Sequence, residues 1–91
     1  MSWTVRYTET AVKAIKKLDP SVRTRVRAAI DVLREDPHRG KPLQLTLKGL
    51  NSWRTGDWRI VYRTRRTRIE IVHATTGHRR EVYARVRSLL R

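Results

Sequence analysis

The stretch GDWRIVYR, residues 56–63, constrains this chain more than any other. Gly56-Asp57 reads as a hairpin turn, and after it Trp58, Ile60 and Tyr62 alternate with Arg59, Val61 and Arg63. Side chains along a strand alternate between its two faces, so Trp58, Ile60 and Tyr62 share one face. Arg59 then lies mid-strand on the other. A guanidinium is permanently charged and needs water or an anion, so the sheet carrying this strand has one face to cover and one to leave open.

The rest of the chain supplies the cover. WTVRY (3–7) alternates as a half-buried strand. Thr8 or Thr10 caps a helix with Val12, Ile15 and Leu18 as its apolar stripe and Lys13, Lys16 and Lys17 outside. Asp19 is a natural N-cap with Pro20 at the first helical position. The second helix carries Val22, Val26, Ala29, Ile30 and Leu33, and ends before Pro37. Residues 35–49 read as a loop with an apolar patch at Leu43, Leu45 and Leu47. Strands follow at 51–55, 58–64 and 68–75, with the turn RRT between the last two. Residues 76–91 read as a turn and a final helix with a thin stripe of Val82, Val86, Leu89 and Leu90.

The expected fold is therefore α+β, in the order β-α-α-β-β-β-α. A small, mostly antiparallel sheet has two N-terminal helices packed on one face and a short C-terminal helix. Residues 1–91 form a single domain. Trp58, Ile60 and Tyr62 point at the helices, while Arg59 points to the open face of a twisted sheet. Arg54, on the preceding strand, can reach the same face, as can residues of the final turn. His73 alternates with Ile69 and Ile71 and is expected beside them as a structural histidine. Trp3, Trp53 and Trp58 are read mainly as core.

Charge narrows the partners. Lys plus Arg number 22 against 8 Asp plus Glu, a formal charge of +14 on 91 residues. So large an imbalance implies a polyanionic partner. Lysine occurs only at positions 13, 16, 17, 41 and 48, so from Ser52 onward every basic residue except histidine is arginine. Arginine grips phosphate with a planar fork where lysine is a mobile point charge; a GC-rich coding sequence produces the same bias, and the sequence does not separate the two. There is no cysteine, which excludes a disulfide framework and thiolate metal sites. Three scattered histidines suggest no metal site, and no cofactor is implied. No apolar run approaches the roughly 18–20 residues of a membrane span, and the first residues lack the order of a signal peptide. A cytoplasmic protein is expected.

At this point the residues resemble a family. LKGLNSWRTGDWRIVYR (47–63), followed by GHRREVY (77–83), is similar to the RelE/ParE superfamily of bacterial toxin–antitoxin toxins, over nearly the whole chain. In the RelE-like branch such toxins cleave mRNA in the ribosomal A site, inhibit translation, and are neutralised by an acidic antitoxin in a hetero-oligomer. The resemblance implies that Arg59 holds the scissile phosphate. Arg79 would stabilise charge or assist the leaving oxygen, and Tyr83 would stack on or orient the target nucleotide. Arg54 is a weaker match on a strand where lysines are usual, and His78 and Glu81 are the local candidates for the general base. Lys48, Arg63, Arg65, Arg66 and Arg68 would bind substrate or rRNA. Arg23, Arg25 and Arg27, spread around their helix, fit solubility or rRNA contact.

The chemistry agrees with this. Cleavage by a ribose 2′-oxygen requires cations aimed at the charge that develops on phosphate and a group to take the 2′-proton. Two other readings stand beside the nuclease: a ParE-like inhibitor of DNA gyrase, and a non-catalytic basic RNA- or ribosome-binding domain.

Overall fold

A computed structural model describes residues 3–43 and 49–76. Five strands form one sheet in the order β1-β5-β4-β3-β2. These are β1 (Thr4–Tyr7), β2 (Lys41–Pro42), β3 (Asn51–Thr55), β4 (Trp58–Arg65) and β5 (Arg68–Thr76), with helices α1 (Glu9–Lys16) and α2 (Pro20–Glu35) between β1 and β2. β1 runs parallel to β5 and every other pairing is antiparallel. The expected final helix falls in residues 77–91, outside the described residues. Part of the expected loop 35–49 is ordered differently: Pro37–Arg39 is a short 3-10 turn, and Lys41–Pro42 adds a two-residue edge strand against Asn51–Ser52.

The helices cover the sheet face that Ile60 and Tyr62 present. These two residues, with Ile69 and Ile71 from β5 and Val26 and Leu33 from α2, are each at most 1% exposed. Burying an apolar side chain of this size contributes about 1.5–3 kcal/mol, so this shared face dominates the stability of the domain. Trp3, Trp53 and Trp58 are partly buried against the same cluster, as core.

Two local expectations are corrected. The buried stripe of α1 runs through Ala11 rather than Val12, which is 38% exposed. Thr8 sets this phase. Its hydroxyl accepts from the Ala11 N–H at 3.1 Å as an N-cap and donates to the Val72 carbonyl of β5 at 2.8 Å. The first turn is thereby tied to the sheet, and the small Ala11 side chain lets the helix approach it. At the start of α2, Asp19 occupies the N-cap without a side-chain capping bond. The joint is held by Arg23 instead, whose guanidinium donates to the carbonyls of Lys16 at 3.3 Å and Leu18 at 3.1 Å. These are carbonyls left without helical partners at the end of α1, so Arg23 is a structural clasp and not a surface charge.

Tyr62 anchors the segment that follows α2. Its hydroxyl donates to the Pro37 carbonyl at 2.6 Å and accepts from the Gly40 N–H at 3.1 Å. The approach is so close that a Cβ on Gly40 would stand 2.1 Å from the tyrosine oxygen, which only glycine permits. Burial raises the Tyr62 hydroxyl above its usual 10.0; the Gly40 N–H opposes that rise and Asp36 adds to it. A pKa raised by folding contributes stability that is present below the unfolded value and lost as pH climbs through the folded one. Tyr62→Phe strands both backbone groups and is expected to cost about 1–3 kcal/mol at neutral pH. In urea unfolding followed across pH, the gap between wild type and variant should narrow above pH ~10; a constant gap would show that the hydroxyl does not titrate with folding.

Candidate functional site

The opposite sheet face carries the charge. Arg54 of β3 and Arg59 of β4 are register partners, which places their Cα atoms about 4.5–5.5 Å apart. The Arg54 Nε donates to the Gly56 carbonyl at 3.0 Å, bending that side chain toward its own hairpin turn. Among the described residues, neither guanidinium has an ion pair. Like charges placed directly opposite on a sheet destabilise it. An arrangement that costs stability and leaves two forks without an acidic partner among the described residues is suited to receive an anion.

A bulge alters who shares this face. Val61 pairs with His73 but Tyr62 pairs with Ile71, so Val72 is an extra residue in β5. Strict alternation would put His73 beside Ile69 and Ile71. The extra residue reverses the phase, and His73 and Thr75 lie on the face of Val61 and Arg59 instead. Both are buried, at 9% exposure. The face is not wholly polar either, since Val61 and Val72 form a small apolar cluster with Leu43 and Leu50. Leu43 donates its N–H to the Leu50 carbonyl at 2.8 Å, bringing the two ends of that segment together.

Of the remaining expected site residues, Arg63 is engaged by Glu70 across the β4–β5 hairpin through both its Nε and its terminal nitrogen. Sequence arithmetic contains this pair: a two-residue turn at Arg66-Thr67 sets 65 against 68 and 63 against 70. Arg65, Arg66 and Arg68 stand exposed at the hairpin tip. Arg65 is six positions along β4 from Arg59, about 20 Å at the rise of an extended strand. Lys48, His78, Arg79 and Tyr83 lie outside the described residues. Among the described residues there is no group of acidic and histidine side chains able to hold a metal ion, and no helix long and apolar enough to cross a membrane.

This fold is that of a known class of small bacterial toxins. The chain is similar to the isolated RelE toxin of E. coli, with a TM-score of 0.73 at 18% identity over 99% of this chain and all of that one. It is similar also to the crystal structure of the RelBE2 toxin–antitoxin complex of Mycobacterium tuberculosis, with a TM-score of 0.80 at 33% identity, covering 85% of this chain and 93% of that one. The model for the ParE toxin of type II toxin–antitoxin systems matches residues 5–83. Toxin RelG of M. tuberculosis is 36% identical over 91 residues, 93% of this chain and 100% of that protein. The chain belongs to the RelE/ParE superfamily of type II toxin–antitoxin toxins.

If Arg54 and Arg59 repel each other, relieving the pair should show a salt signature. Arg54→Thr keeps a strand-favouring residue and removes one charge. Its stability relative to wild type should improve on going from high to low salt by about 0.2–1 kcal/mol. Urea unfolding at two ionic strengths measures this, and a salt-independent difference would mean that the two charges do not interact.

Proposed function

We propose that this toxin is a ribosome-dependent mRNA endonuclease that cuts the message in the A site and so stops translation. The observation that carries the reading is the Arg54–Arg59 pair in mid-sheet, on the face opposite α1 and α2, with no ion pair among the described residues. In this mechanism the 2′-oxygen attacks the adjacent phosphorus, the P–O5′ bond breaks, and a cyclic phosphate and a 5′-hydroxyl result. Arg59 binds the phosphate and stabilises the charge that grows on its oxygens. Arg54 adds a second cation, and its permanently charged guanidinium makes it a poor base. Arg79 assists the departing oxygen, Tyr83 orients the nucleotide, and His78 takes the 2′-proton.

The protein offers strong cations and weak acid–base power. In-line placement of the message by the ribosome supplies the difference, worth up to roughly 7–11 kcal/mol. A cytoplasmic site of action follows. So does an acidic antitoxin, which the charge of +14 would attract and which has a parallel in the toxin–antitoxin complex of the RelBE2 relative.

Primer extension on programmed ribosomes with an open A site tests the proposal, with naked message and a gyrase supercoiling assay alongside. Wild type should cut the ribosome-bound message and leave naked mRNA nearly intact, and Arg59→Ala should lower the cleavage rate by about 100-fold or more. Equal cutting of both substrates would remove the ribosome from the mechanism. Inhibition of supercoiling without cleavage would identify the gyrase-directed activity that the ParE name of the family model suggests. Binding to ribosomes with neither activity would leave a non-catalytic binding domain.

A further inference from the structure

A groove of about 370 Å³ runs between α1, α2 and β1, on the helix side of the sheet. Its α2 side is formed by Arg23, Val26, Arg27 and Ile30, spaced so that they share one helical face. Val12, Ile15 and Lys16 of α1 stand across from them, and Tyr7 of β1 completes the lining. Val26 and Ile30 form a buried floor, at 1% and 4% exposure, whereas Val12 and Tyr7 are 38% and 44% exposed. A lone exposed apolar residue is ordinary. Two that flank an apolar-floored groove of ligand size mark a binding site.

The charge at one end of this groove is incompletely matched. Arg23 lines it at the α1–α2 joint, where one terminal nitrogen donates to the carbonyls of Lys16 and Leu18. Its Nε is buried and has no hydrogen-bond acceptor among the described residues. A buried donor left unmatched on a charged group costs stability. Lys16, whose carbonyl Arg23 already holds, adds an ammonium to the same end. Ile30 lies seven residues further along α2, about 10 Å away at the helical rise. Burial raises the Tyr7 hydroxyl above its usual 10.0, Arg27 and Arg34 oppose the rise and Asp31 adds to it, so the phenol stays a neutral wall of the groove. We infer that this groove binds a small amphipathic carboxylate, its charged head at Arg23 and Lys16 and its apolar body over Val26 and Ile30.

The donor set selects this class of ligand. A guanidinium grips phosphate with paired N–H groups, and both paired modes use the Arg23 nitrogen that the two carbonyls already occupy. One N–H remains, enough for a single carboxylate oxygen, with Lys16 for the other. A polyanion such as RNA would leave the apolar floor unfilled, and an uncharged apolar molecule would leave the buried Nε unmatched. The inference goes beyond the nuclease reading and does not depend on it, since the groove is on the sheet face opposite Arg54 and Arg59.

Calorimetric titration of the whole chain with decanoate, kept below its micelle concentration, tests this. Binding should saturate at one decanoate per chain and raise the thermal midpoint as the ligand exceeds its Kd. Acetate lacks the apolar body and decanol lacks the charge, so each should bind at least about tenfold more weakly. Arg23→Lys keeps a cation for the two carbonyls but removes Nε, and should weaken decanoate to a similar degree. Val12→Asp sets a like charge on an exposed wall without touching the Arg23 clasp, and should also cost about tenfold or more. Val32→Asp, at a valine of α2 that is 39% exposed and outside the lining, should leave binding unchanged. Failure to saturate, several decanoates per chain, equal loss in both aspartate variants, or decanol binding as tightly as decanoate would overturn the inference. So would an affinity for polyglutamate, or for phosphatidylglycerol vesicles, that Val12→Asp abolishes while decanoate does not bind; the occupant would then be an acidic protein segment or a membrane surface. No cleavage is measured, so failure of the nuclease reading would leave these results standing.

Discussion

The pairing of β4 with β5 is the constraint from which the rest of the structure follows. Ile60 and Tyr62 on one strand, and Ile69 and Ile71 on the other, make one continuous apolar surface. Two helices just cover it. With β1 added in parallel to β5 and β3 antiparallel to β4, each central strand has a neighbour on both sides. The helices are tied to this ladder by single side chains: Thr8 fastens the start of α1 to β5, and Tyr62 fastens the chain beyond α2 to β4. Arg23 closes the turn between them. The opposite face holds only the smaller cluster of Leu43, Leu50, Val61 and Val72, and beside it can carry charge.

That arrangement explains a pattern that is costly for folding. Arg54 faces Arg59, Arg65 faces Arg68, and Arg66 occupies a glycine-like conformation. Each lowers the stability of a small domain that already repels itself with a charge of +14. The bulge at Val72 extends the pattern by bringing His73 and Thr75 onto the Arg59 side. A chain selected for stability alone would place threonine or an opposite charge at these positions. Local rules are broken where a polyanion is expected to bind, and the helix-covered face obeys them.

The sequence was informative wherever a single periodicity decides the outcome. Alternation in WRIVYR assigns the two faces of β4, and the 3–4 spacing of Val22, Val26, Ala29, Ile30 and Leu33 locates the buried stripe of α2. It was silent where one residue shifts the phase. Nothing in IVHATT marks the bulge, so His73 is assigned to the wrong face by counting. The stripe of α1 is misread by one residue because Thr8 contacts a strand 64 positions away. The Arg54–Arg59 pair depends on hairpin register, which Gly56-Asp57 makes legible; the strain at Arg66 does not, since RRT reads as an ordinary basic turn.

The central claim is that adjacent residues of β4 divide stability and activity between the two sheet faces. Cleavage on programmed ribosomes and urea unfolding, measured together for Arg59→Lys and Ile60→Val, test it most directly. Arg59→Lys keeps the charge but loses the fork, so cleavage should fall sharply with the unfolding midpoint unchanged. Ile60→Val should cost about 0.5–1.5 kcal/mol of stability while each folded molecule cuts as fast as wild type. If both variants lose stability and activity in parallel, the two faces are not separate and the division of labour proposed for this sheet is wrong.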